Sequence, residues 1–434
     1  MKRYLSIVLG LLFVLGLASS AYAVHAQIPA ETQAVVAKGA TQLTIGGSIR
    51  ARMDYRSNLS DQLDNGSGDE HFARTDARVR LKIDVKVSDK TTGRVHLDNS
   101  WVWGTSSESK GNYKEGNGRV KGGFNIIEAW IQHVNGPVGF KIGHMPLALG
   151  NKLFFDHSLW GDDGVVVFAN PNKQVHVFGV FAKFRESKGG INDDSTGYVI
   201  AGNYKAGNLG VGGDVTYVDD QVGAIHLWNI ALRGNGNVAG LKLRGEVDLQ
   251  TGKVTDAGRD FGGYAFLFGA DYKLGNTKLS GIVAYGSGDD NPNDNKIDEF
   301  VTSLSPVPYD YAGYLYHYRM KTACSNGALV AGACNGGIAN TFTVKVGANT
   351  KVSKELSVAG SIAYLQAAED ISINGGTPDN NLGWEFDGKV KYKLDRNLSL
   401  TLQGGYFAVG DAYNHANGQS DDAWGTRLTT QLSF

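Results

Sequence analysis

Only two cysteines and eight prolines occur among the 434 residues, and the formal net charge is -1. Two Cys exclude a disulfide-dense scaffold and a multi-cysteine zinc protein. The shortage of Pro, beside 59 Gly, excludes collagen-like chains and Pro-rich disordered ones. A balanced charge supplies no global basic field for nucleic acid. Past the first residues no stretch approaches about 18 consecutive apolar residues, so no bilayer-spanning helix is expected. What is plentiful is Gly, at about twice ordinary usage. Aromatics reach 10% of the chain, too many for wholesale disorder.

Residues 1–26 have the form of an export signal. Lys2 and Arg3 give a positive start, Leu5 to Ala18 an apolar core, and Ala21-Tyr22-Ala23 a small-x-small cleavage site, with Val24-His25-Ala26 as a second. Cleavage after Ala23 or Ala26 removes two basic residues and leaves 40 basic and 43 acidic, net -3. Residues 27–40 then form a short periplasmic leader without an assigned role, and 41–434 the body of the protein. An exported chain without a spanning helix is either soluble or an outer-membrane β-barrel.

Periodicity separates the two. Leu43, Ile45, Ile49, Ala51, Met53 and Tyr55 alternate with Thr44, Ser48, Arg50, Arg52, Asp54 and Arg56. Ala77, Val79, Leu81, Ile83, Val85 and Val87 alternate with Asp76, Arg78, Arg80, Lys82, Asp84 and Lys86. Ordinary strands have about 5–6 residues, and tilted barrel strands about 9–11. Long runs with one apolar and one charged face are what a barrel with lipid outside and water inside requires. The pattern predicts an all-β, antiparallel up-and-down transmembrane barrel. Its strands are 42–56, 72–88, 92–103, 123–134, 138–145, 164–169, 174–184, 196–205, 209–218, 224–234, 238–250, 261–274, 277–288, 340–352, 356–369, 382–395, 398–410 and 422–434. Short turns such as Asn135-Gly136-Pro137 and Gly275-Asn276 alternate with long polar loops such as 104–122 and 289–339, as in barrels with periplasmic turns and external loops. The count is eighteen if 164–169 is a strand, and sixteen is the alternative.

The final stretch Leu428-Thr429-Thr430-Gln431-Leu432-Ser433-Phe434 alternates and ends on Phe. It resembles the terminal strand that outer-membrane proteins present to their assembly machinery. The mature chain as a whole resembles a Gram-negative outer-membrane porin. Two stretches are similar to the alginate-export type of eighteen-stranded barrel. One runs from Gly139 through Lys141 and His144-Met145 to Gly150, behind Glu128-Ala129-Trp130-Ile131-Gln132. The other is Tyr285 to Lys296, followed by Phe300. His144-Met145 departs from the Arg-Gln pair common in that family. The resemblance implies an outer-membrane location, contact with lipid and lipopolysaccharide, and no cofactor. A homotrimer is common among such porins and does not follow from this sequence.

The chemistry of such a protein lies in its pore. Alternation places Arg50, Arg52, Arg56, Arg74, Arg78, Arg80, Lys82, Lys242, Arg244, Lys389, Lys391 and Arg427 on the water face. With the acids Asp54, Asp76, Asp84, Glu246, Asp248, Glu385 and Asp387 the wall remains positive. A basic wall in a narrow aqueous channel attracts anions, which makes small hydrophilic anions the expected solutes. The alternative is a mixed lining neutralised locally. The third outer loop, Met145 to Gly161, is rich in apolar residues and would be costly in bulk water. It is expected to fold inward as a constriction, with Lys152, Phe154, Phe155, Asp156, His157 and Trp160 at the narrowing. A loop packed at a subunit interface is the alternative.

Other features resolve less. Cys324 and Cys334 share one outer loop, where an oxidising compartment favours a disulfide. Asp289, Asn291, Asn293 and Asn295 resemble half a calcium loop but lack the Gly at position six and the Glu at position twelve, so a solvated acidic loop is expected and no metal site. Tyr309, Tyr311, Tyr314, Tyr316, Tyr318 and His317 cluster in the same long loop, suited to stacking on sugars or to a membrane girdle. No Gly-x-Ser-x-Gly elbow and no His-Glu-x-x-His motif occurs, so no enzymatic activity is expected. A channel for an acidic polysaccharide and the sheath of a larger envelope complex are the alternatives to a general porin.

Overall fold

A computed structural model describes residues 34–38, 41–59, 62, 71–103, 123–186, 193–291, 293–302, 311–316 and 337–434. The export signal, Cys324, Cys334, Tyr309, His317 and Tyr318 lie outside the described residues. Eighteen staves form the wall: β1 (Thr41–Ser57), β2 (His71–Lys86), β3 (Thr91–Val102), β4 (Asn125–Asn135), β5 (Val138–Ala148), β6 (Asp156–Ala169), β7 (Val175–Arg185), β8 (Ser195–Ala206), β9 (Leu209–Asp220), β10 (Ile225–Val238), β11 (Leu241–Val254), β12 (Tyr264–Leu274), β13 (Thr277–Gly286), β14 (Thr341–Lys351), β15 (Leu356–Ile371), β16 (Asp379–Lys393), β17 (Leu398–Val409) and β18 (Ala423–Ser433). Each pairs antiparallel with the next. Pairing of Ser48 with Ser433 through Ser57 with Trp424 closes the ring. Closure removes the open sheet edges that hydrocarbon cannot satisfy.

The strand expected at 164–169 begins at Asp156, and the one expected to end at 145 runs on to Ala148. The third outer loop, L3, therefore shrinks from 145–161 to 149–155. A register shift between Met145 and Leu147 marks the extension. That irregularity broke the alternation and hid it.

The period-two pattern has the predicted orientation. Ile49 and Met53 are exposed outside, and Ile200 at 77% and Leu232 at 70% are far too open for a soluble protein of this order. A closed barrel with such an exterior spans a membrane. Trp424 against Tyr55, Trp384 against Tyr364 and Trp228 against Tyr217, with ring centroids 5.0, 4.9 and 4.5 Å apart, lie toward the long-loop end, where amphipathic rings suit the headgroup level.

Five residues of the leader form a strand. Ala34–Lys38 pairs antiparallel with Ile45 to Thr41 of β1. Those β1 residues extend past Phe434, whose backbone exchanges hydrogen bonds of 2.7 and 3.0 Å with Gly47. The leader strand covers a stretch of edge that β18 is too short to reach.

Candidate functional site: the barrel interior

Beta-strand alternation brings an arginine array together on the inner face of β1, β2 and β18. Arg50 (3.1 Å), Arg52 (2.9 and 2.6 Å) and Arg74 (3.4 Å) converge on Asp76. Arg80 bonds Asp98 of β3 at 2.7 Å, with Arg78 at 3.8 Å from the same carboxylate. Asp54 takes Arg427 at 2.8 Å, and Arg56 as well. Seven guanidinium groups thus share three carboxylates, an excess of four positive charges. Register places Arg50 directly opposite Arg78. Like charges so placed are unfavourable, so the shared carboxylates are needed to hold the array.

The other predicted wall cations fall in different settings. Arg56 is sealed, 2% exposed, with Asp54 and the ring of Phe72 4.6 Å from its guanidinium carbon; it supports the array and does not face the water expected of a lining residue. Lys82 pairs with Asp84 at 3.6 Å. Arg244 lies over Gly269, where a Cβ would come within 2.8 Å of its Nε. Lys242, Lys389 and Lys391 are exposed on the inner face toward the short-turn end.

L3 crosses into the lumen. Leu153, Phe154 and Phe155 are buried. They pack with inward-facing apolar side chains of the wall, including Val180, Ala182, Val199, Ala201, Leu227, Ala265, Leu267, Ile282 and Ala284. Glu246 of β11 tethers the loop tip. Its carboxylate accepts hydrogen bonds from the Asn151 side chain at 2.8 Å and from the Asn151 backbone N–H. Gly150, at φ +53°, is required there because a Cβ would lie 2.2 Å from that carboxylate. His157 bonds Asp162 at 2.6 Å and stacks on Phe155 at 4.3 Å, and Lys152 reaches Asp156 at 3.2 Å. Trp160 differs from the others: it stands on β6 and is 58% exposed, because the strand continues through the region expected to be loop.

L7, the long loop between β13 and β14, also enters. Gln250 of β11 pairs with Val301 like a backbone group, donating to its carbonyl at 2.6 Å and accepting from its N–H at 2.9 Å. Phe300 meets Phe154 edge-on at 6.4 Å, joining the two loops. Residues 311–316 form a strap. Thr343 and Lys345 of β14 donate to the carbonyls of Tyr311 (2.9 Å) and Ala312 (2.8 Å). Glu385 of β16 accepts from the N–H groups of Leu315 and Tyr316, and Asp387 from Tyr314 at 3.2 Å. The strap ends at the arginine array, where Tyr314 donates to Asp54 at 3.4 Å and lies 5.4 Å from Arg427. The described tyrosines Tyr311, Tyr314 and Tyr316 therefore belong to the interior and not to a lipid-facing girdle.

Asp289 departs from the solvated state expected of it. It is 4% exposed, with Arg259 at 3.5 Å and the Asn291 N–H at 3.1 Å on its carboxylate. Among the described residues no group of three or more His, Cys, Asp or Glu is arranged to hold a metal.

Several interior ions escaped the sequence reading. Asp98 and Arg94 sit on β3, whose inner face Thr92, Arg94, His96, Asp98 and Ser100 alternates with Val95 and Leu97. Glu128 and Lys141 lie near glycines and a register shift that blur the pattern. Asp214 and Arg233, an ion pair between β9 and β10, are separated by Gly-rich stretches. The alternation in β3 was legible; the others carried little signal.

No protein-family model matches this sequence, and no curated protein does. Solved structures do. OccK9 (OpdG) of Pseudomonas aeruginosa is 13% identical with a TM-score of 0.58, over 90% of this chain and 98% of that one. OccAB3 of Acinetobacter baumannii is 11% identical with a TM-score of 0.58, over 90% and 99%. OpdK of Pseudomonas aeruginosa, solved with vanillate, is 12% identical with a TM-score of 0.55, over 90% and 98%. These neighbours are Gram-negative outer-membrane porins, and they lend no support to the alginate-export type in particular. Identity this low speaks for architecture alone: the chain has the closed, eighteen-stranded barrel fold of Gram-negative outer-membrane porins.

Proposed function

We propose that the protein is an outer-membrane porin through which small hydrophilic solutes diffuse passively, with preference for anions. In this reading residues 1–26 direct export and are removed. The observation that carries the preference is the excess of four positive charges where seven Arg share Asp54, Asp76 and Asp98. Anions passing such a wall find charge-assisted donors already held in place. L3 and the strap of L7 narrow the lumen beside it and set the size limit. Vanillate, found with the neighbour OpdK, is a small aromatic carboxylate of the proposed solute class. The acidic-saccharide alternative uses the same basic wall, but Tyr311 and Tyr316 are buried beside β14 and β16 and offer no open ring for a sugar.

Liposome swelling tests the proposal. Proteoliposomes should swell faster in gluconate than in sorbitol, a neutral solute of similar size. Equal rates would remove the anion preference, and no swelling in either would remove the channel.

A further inference from the structure

Below the arginine array, toward the short turns, lies a second cluster of charged side chains, built around an indole. Trp130 of β4 donates from Nε1 to Glu128 at 2.9 Å. Glu128 also accepts from Arg94 at 3.4 Å and is joined to His96 at 3.0 Å. Arg94 bonds Asp84 at 2.6 Å and places its guanidinium carbon 5.4 Å from the indole centroid. The ammonium of Lys141 stands 4.0 Å from the same centroid. Both acids are engaged by neighbouring groups. Lys141 differs, because among the described residues no carboxylate lies within ion-pair distance of it.

The indole face is therefore what holds this ammonium in place. Lys141 lies on the inner face three residues past the start of β5, and Arg94 three past the start of β3. The Arg80–Asp98 pair is four residues farther toward the loops. Two residues to either side of Lys141 on its own face are glycines. Phe168 covers Gly139. Gly143 faces Gly164 across β5 and β6, so the wall is bare on the loop side of Lys141. Gly143 cannot be replaced cheaply, since at φ +126° a Cβ would strike the Ala129 carbonyl at 2.2 Å.

We infer that Lys141 and Arg94, posed by Trp130, form a second anion station, where a permeating carboxylate docks after it leaves the arginine array and before it exits. Lys141 supplies a charge that no carboxylate among the described residues meets within ion-pair distance, and Trp130 is its positioning residue. The inference rests on the channel reading, and it adds a discrete binding site that the array does not provide.

The test uses benzoate as the probe anion and the full barrel in planar bilayers. Benzoate added at the short-turn side should block current in the wild type. Lys141→Met should weaken that block about tenfold, the value of one charge-assisted hydrogen bond. Trp130→Phe should retain most of the block, and Trp130→Leu should lose it. Block from the short-turn side unchanged in K141M overturns the station.

Tryptophan fluorescence in detergent keeps the station testable without any current. The share of emission quenched by iodide, taken as the difference from W130F, should fall by about half in K141M. Quenching by neutral acrylamide should not change. A silent barrel that shows this iodide effect retains the station and loses the channel. A conducting barrel without either effect retains the channel and loses the station.

Discussion

Along β1–β3 and β18 the interior is charged, whereas along β7–β15 its outer half is apolar. On the first wall Arg50, Arg52, Arg74, Arg78, Arg80 and Arg427 keep partial contact with the lumen. On the second, Val199, Ala201, Leu267 and Ala284 are 4% exposed or less, because L3 and L7 lie on them. An apolar wall left in water would be costly, at about 25 cal/mol per Å² of exposed surface. The contrast explains why both loops fold to one side. The apolar wall recruits them, and on the charged wall the described strap of L7 meets the array through Tyr314. Polar anchors on the apolar side, Glu246 and Gln250, set the position of each loop tip.

The comparison can be broken from either wall. The largest effect is expected from Leu153→Asp. Leu153 is fully buried in the loop cluster, and an unpaired carboxylate there costs about 3 kcal/mol or more. L3 should leave the apolar wall and single-channel conductance should rise, while heat-modifiable gel mobility shows the barrel intact. Unchanged conductance would mean that L3 does not set the narrowing.

Next is the double change Arg78→Glu with Arg80→Glu. Reversing two cations removes four charges, which cancels the excess of four on the array. Anion preference should vanish in bi-ionic permeability measurements.

Glu246→Gln sharpens the comparison more gently. It keeps the shape but turns charge-assisted hydrogen bonds to Asn151 into neutral ones, a loss of about 1 kcal/mol. Open-channel current noise should increase at nearly unchanged mean conductance.

The smallest effect belongs to Tyr314→Phe. Its hydroxyl bond to Asp54 is long, at 3.4 Å, and worth no more than about 0.5 kcal/mol. Selectivity should stay as in the wild type, and a measurable shift would make the strap part of the anion path.

The charged wall was far more legible than the apolar one. From Arg50 to Arg56 in β1 and from Arg74 to Lys86 in β2 every second residue is charged, so the lipid and water faces separate on sight. In β8 the run Gly197-Tyr198-Val199-Ile200-Ala201 is apolar on both faces, since lipid covers one and the loops cover the other. Period two disappears when both sides exclude water. The third loop was legible from its own hydrophobicity, but its length was not, because the irregularity at Met145 to Leu147 shifts the alternation. The arginines of β1 and β2 were legible as one patch. Their partners were not, since Asp98 and Glu128 meet their arginines only through strand register. The ordered leader at Ala34–Lys38 carried no signal beyond a short β-compatible run.

The most direct test of the account is the reversal potential of the wild-type channel under a KCl gradient, at low and at high mean salt. The account predicts a potential on the chloride side that shrinks as salt screens the arginine array over about 10 Å at 0.1 M and about 3 Å at 1 M. A potential on the potassium side, or none at low salt, would contradict it.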